Sequence, residues 1–160
     1  MRGTFAAVLL LGATACGPGG ATGDVPGLEV VLSRAYVNRL ASFQVSILAK
    51  AETLDPEAVE KTCVAGQGHA FVQQQDGEGR TVNARTFDAA VLSGQQELRL
   101  SGIPYGREYL FVVEALSSDA TPVLLGSGSA RVQNFQGDVR PAPITVGELS
   151  PAPACDPRIR

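Results

Sequence analysis

The run Glu108 to Leu116 limits what this chain can become more than any other stretch. Read with a two-residue period, it places Tyr109, Phe111, Val113 and Ala115 on one face and Leu110, Val112 and Leu116 on the other. Successive side chains of a strand point to opposite sides, so a strand that is apolar on both must be covered on both and belongs inside its sheet. Just upstream, Leu98 and Leu100 alternate toward a core, and Gly102-Ile103-Pro104-Tyr105-Gly106 turns the chain. One central strand, entered through a tight turn, is therefore the expected organiser.

The remaining segments are shorter. Leu28 to Arg34 predicts a first strand with Leu28, Val30 and Leu32 on one face. Ala41 to Lys50 predicts another, with Phe43, Val45, Ile47 and Ala49 inward and Ser42, Gln44, Ser46 and Lys50 outward. Asp55 can cap a short helix that takes Pro56 at its first position and Glu57 in its first turn; Gly66-Gln67-Gly68 ends it soon after Thr62. Ala70 to Gln75 and Arg80 to Thr86 flank Asp76-Gly77-Glu78-Gly79, a hairpin signal because glycine takes positive φ without steric cost. Phe87 to Leu92 reads as a short strand or a connection. Pro122 to Leu125, Ser129 to Gln133 and Ile144 to Val146 read as further strands separated by Ser, Asp and Gly turns. Seven to eight short strands with little helix predict an all-β chain, a single antiparallel β-sandwich over residues 27–149.

Leu100 and Ile103, then Tyr109, Val113 and Ala115, resemble the strand E to strand F corner of fibronectin type III and related immunoglobulin-like domains. The resemblance implies that the Tyr109 hydroxyl bonds nearby backbone and fixes the corner. The same stretch is similar to the Gly-x-Tyr step of transthyretin-like and carboxypeptidase regulatory-like sandwiches. The chain departs from the fibronectin pattern in having no tryptophan and in the added strand at Ile144 to Val146.

At the amino end, Arg2 precedes an apolar run from Phe5 to Leu11 and then Ala13-Thr14-Ala15-Cys16. The run is too short for a bilayer-crossing helix, which needs roughly 20 residues. It fits a cleaved secretory signal, whose apolar region takes roughly 7–15 residues before small ones at the cut. Ala-Thr-Ala is an ordinary cleavage site, and Cys16 at the cut makes the stretch similar to the lipobox of bacterial lipoproteins, with Ala13 where that pattern usually has leucine. The lipobox resemblance implies loss of residues 1–15 and acylation of Cys16, each buried methylene contributing about 0.8 kcal/mol to membrane anchoring. Gly17, standing where aspartate would signal retention in the inner membrane, implies the outer membrane. Residues 16–26, with Gly-Pro-Gly-Gly, read as the lipidated cysteine and a flexible tether. The alternative is a secreted protein without lipid.

With Cys16 acylated, Cys63 and Cys155 remain, and an exported chain lives where disulfides persist. A Cys63–Cys155 bond would pin the Pro-rich tail 150–160 onto the domain. The rival reading is two buried or redox-active thiols.

Little else points to chemistry. A formal net charge of −3 argues against nucleic acid, because phosphate binding needs a basic face. His69 is the one histidine and reads as a solvated loop residue; a zinc site needs further nitrogen or sulfur ligands. Gly66-x-Gly68 lacks the third glycine of a dinucleotide fingerprint. Gly126-Ser127-Gly128-Ser129 puts glycine where a nucleophile elbow needs serine. Asp76 and Glu78 read as a solvated turn rather than as calcium ligands. Glu114 stands out as a carboxylate on an apolar strand, paired across strands with Arg99 or Arg131, lying where the sheet meets solvent, or functional. The expected function is therefore a membrane-anchored structural or protein-interaction module without catalysis, metal or cofactor, acting through its surface or through loops such as Ala51 to Gly68. The alternative is a small-ligand or envelope-polysaccharide-binding module using Tyr105, the tyrosine expected to be exposed.

Overall fold

A computed structural model of the chain describes residues 20–32, 37–89, 98–137 and 140–155. The signal stretch, Cys16 and part of the Phe87 to Leu92 segment lie outside the described residues. Among those described, the strands are β1 (Thr22–Val25), β2 (Val30–Leu32), β3 (Leu40–Ala49), β4 (Gln74–Gln75), β5 (Thr81–Val82), β6 (Ala84–Asp88), β7 (Leu100–Pro104), β8 (Tyr109–Ser117), β9 (Leu124–Val132) and β10 (Ile144–Glu148). One short helix, α1 (Pro56–Glu60), stands among them. Asp55 caps it as its sequence requires, its carboxylate accepting from the Glu57 N–H at 3.1 Å.

The chain is all-β, and β8 is its central strand. It pairs antiparallel with β3 on one side and β9 on the other, in a six-stranded sheet of order β2-β10-β9-β8-β3-β6. A second sheet has only two strands, β1 and β7, and β4 and β5 form a hairpin. The large sheet curls into a half-barrel instead of facing a second sheet of similar size. Its pairing is not wholly antiparallel either, because β2 joins β10 in parallel. Phe43, Val45 and Ile47 of β3, Phe111 and Val113 of β8 and Ile144 and Val146 of β10 form the main core with Val25, Leu100 and Ile103 of the β1–β7 ribbon. The ribbon thus closes the concave side.

Two local readings of the sequence are corrected. The stretch read as tether contains β1, which pairs with β7 through Thr22↔Pro104, Gly23↔Ile103 and Val25↔Leu100. Glycine allows this: a Cβ on Gly23 would lie 2.4 Å from the Tyr105 ring and 2.5 Å from the Gly137 carbonyl oxygen. The Gly-Ser-Gly-Ser run read as a turn lies inside the single long strand β9. A Cβ on Gly128 would come within 2.2 Å of the Thr145 carbonyl oxygen, so here glycine lets β10 approach closely instead of bending the chain.

Candidate functional site

The convex side of the sheet is also covered. Leu48 of β3 and Leu110 and Val112 of β8 pack beneath Ala51, Val59 and Val64, making a second small core under the 51–66 segment. Further along β8, Leu116 packs with Leu124, Cys155 and Cys63. Glu114 lies between these two clusters on the same face, fully buried. The expectation that it pairs with Arg99 or Arg131, or meets solvent, is corrected. Its Oε1 accepts from the Val64 N–H at 2.8 Å, and its Oε2 has no hydrogen-bond partner among the described residues. Arg131 instead binds Glu108 at 2.8 Å and the Leu54 carbonyl at 2.9 Å.

The strands on either side set Gln44 of β3 and Ser127 of β9 in register with Glu114. Both are buried, and Gln44 Oε1, Ser127 Oγ and the nearby Ser46 Oγ also lack partners among the described residues. Outward polar positions of β3 have thus been roofed over by the 51–66 segment. Burial pushes the Glu114 pKa up to about 7, against the opposing pull of the Val64 amide. Desolvation dominates because the charged form is stabilised here by one backbone N–H and no cation.

Cys63 and Cys155 are joined as a disulfide, Cα to Cα 5.3 Å. A carboxyl oxygen of Glu114 and the two sulfurs all lie within 4.8 Å of one another. Cys63 is half-buried and Cys155 is 1% exposed. The tail is held along the start of β9: the Leu124 N–H donates to the Pro153 carbonyl and the Cys155 N–H to the Pro122 carbonyl, each at 2.8 Å. Proline lacks a donor but still offers its carbonyl. Beside this cluster is a cleft of about 250 Å³ lined by Glu57, Glu60, Lys61, Ser127 and Glu148. Ser127 borders both the cleft and the buried carboxylate.

The other sequence candidates lie elsewhere. The Tyr109 hydroxyl donates to the Pro104 carbonyl at 2.8 Å, and its ring meets Phe135 edge-on at 6.0 Å. Tyr109→Phe is expected to cost roughly 1–3 kcal/mol, since it leaves a carbonyl unbonded; an unchanged denaturant midpoint would remove the corner from the stability argument. Tyr105 is half-buried, its ring tilted against Phe135 at 6.1 Å. His69 is half-buried rather than solvated, a ring nitrogen 2.6 Å from Gln67 Oε1. Asp76 accepts from the Glu78 and Arg80 N–H groups and from Arg80 Nε, so the hairpin turn uses its oxygens.

Gln44 and Ser127 escape sequence reasoning. Gln44 reads as an outward strand position and Ser127 as part of a turn; no local signal says that a distant segment covers them. Comparison of the chain with known protein families, with curated proteins and with solved structures finds no match.

Proposed function

We propose that the chain is a lipid-tethered domain of the bacterial envelope, anchored in the outer membrane through Cys16 and acting there as a structural or protein-interaction module. The observation that carries this reading is the Cys63–Cys155 disulfide. It fits an oxidising compartment, and it leaves Cys16, at the end of an export-like signal, as the odd cysteine. The Tyr109 corner supports the finer reading of an immunoglobulin-like or transthyretin-like relation. The module's working surface would be α1 and its neighbours, where Glu57, Glu60 and Lys61 stand on a segment braced by the disulfide.

Cys16→Ser is expected to move the protein from the membrane fraction to the soluble fraction and to abolish its labelling by a clickable palmitate. Continued co-sedimentation of the variant would contradict anchoring through Cys16, and an unlabelled wild-type band would speak for a secreted, lipid-free protein. Crosslinking in intact envelopes would then identify what the module touches.

A further inference from the structure

The geometry points to a thiol–disulfide exchange site: Cys63 is the sulfur open to attack by an external dithiol, Cys155 the buried leaving sulfur, and Glu114 the proton donor to it. Three independent observations meet here. The two cysteines differ in exposure as residues, Cys63 half-buried and Cys155 closed off. Glu114 presents a carboxyl within 4.8 Å of both. Its Oε2 is buried without a hydrogen-bond partner among the described residues, while Oε1 is fixed by the Val64 N–H, next in sequence to Cys63. Held at one oxygen by the amide next to Cys63 and within 4.8 Å of both sulfurs, the carboxyl is placed to hand a proton to a departing sulfur.

In the step proposed, a thiolate of the dithiol, its proton already lost to water, attacks Cys63 Sγ. A mixed disulfide forms as the Cys63–Cys155 bond breaks, and the electron pair goes to Cys155 Sγ. A thiolate buried among Leu116 and Leu124 is poorly solvated, so it takes the proton of the Glu114 carboxyl. The second thiol of the reductant, ionised in turn, attacks the reductant's own sulfur in the mixed disulfide. Cys63 leaves, is protonated by water, and Glu114 regains a proton from solvent. The dithiol is oxidised to a disulfide, and Cys63 and Cys155 are reduced to thiols. The reduced form frees the tail from the segment that roofs the buried row.

Among the described residues, the groups facing Glu114 from the packed elements are Gln44 of β3, Ser127 of β9, the Val64 amide and the disulfide, none of them charged. Glu57, Glu60, Lys61 and Glu148 line the neighbouring cleft. His69, the one histidine, has its pKa lowered by burial.

The test is the rate at which dithiothreitol reduces the purified full chain between about pH 5.5 and 8.5, a span that brackets the carboxyl. Cys63 and Cys155 are trapped by alkylation, and each rate is divided by the fraction of dithiothreitol present as thiolate. A proton donor makes the normalised rate fall by about tenfold or more as pH rises through 7, since general acids contribute at least that much. Glu114→Gln keeps an acceptor for Val64 but has no proton to give. It should be slow and flat, about tenfold below wild type at pH 6, and His69→Gln should keep the wild-type profile. A merely structural carboxyl predicts the opposite trend, because its ionisation loosens the roof and speeds reduction at high pH. A flat or rising wild-type profile overturns the proposal, and so does a Glu114→Gln rate equal to wild type at pH 6. Should that variant fail to fold, the wild-type profile alone decides.

Discussion

The double variant Cys63→Ala/Cys155→Ala is expected to lose about 4–5 kcal/mol of unfolding free energy, the chain-entropy figure for a loop of this length. The two cysteines are 92 residues apart in sequence, so the bond removes much freedom from the unfolded chain. Small domains hold only about 5–15 kcal/mol in total, and a loss of this size is a large part of it. The bond also ties together pieces that do little for each other otherwise. Among the described residues the tail meets the sheet through two backbone hydrogen bonds, which together make the isolated bridge Val123↔Ala154. The 61–66 segment has only a small apolar cluster beneath it. Urea unfolding of wild type with and without reductant, beside the double variant, measures the effect. A midpoint unmoved by either treatment would mean that the bond contributes nothing to the balance.

The second large effect is a dependence of stability on pH. The folded pKa of Glu114 is raised from 4.5 to about 7. Between those values the native chain keeps a proton that the unfolded chain has released, so stability falls as pH rises. The full contribution is present below pH 4.5. Above pH 7 about 3 kcal/mol has gone, at roughly 1.4 kcal/mol for each unit of displacement. Glu114→Gln should remove this slope. His69 acts with the opposite sign, its lowered pKa weakening the fold as pH drops below 6.5, so the difference between the two proteins is the quantity to measure. Melting temperatures of wild type and Glu114→Gln that run parallel from pH 4.5 to 8 would contradict a buried, cation-free carboxyl.

What could be read in the sequence was whatever local periodicity decides. Tyr109–Ser117 and Leu40–Ala49 emerge as strands because their apolar alternation demands a buried face. The Asp55 cap and the Asp76 turn emerge because short-range hydrogen bonding determines them. The rest depends on distant partners. Thr22–Val25 has the composition of a linker and becomes a strand because Gly23 can lie against the Tyr105 ring. Leu124–Val132 continues as one strand through Gly126 and Gly128, and β10 comes close at Gly128. Glu114 could be singled out as unusual, but its surroundings come from Val64 and Cys155, far along the chain in both directions, and no window of residues contains them.

The seam between Val30–Leu32 and Ile144–Val146 bears on the timing of folding. A parallel pair joining the two ends cannot form until nearly the whole polypeptide is available, and contacts so distant in sequence make for slow folding. Were the chain exported as proposed, amino end first through a narrow channel, that delay would be an advantage. Val30–Leu32 would lack its Ile144–Val146 partner until the carboxyl end had crossed.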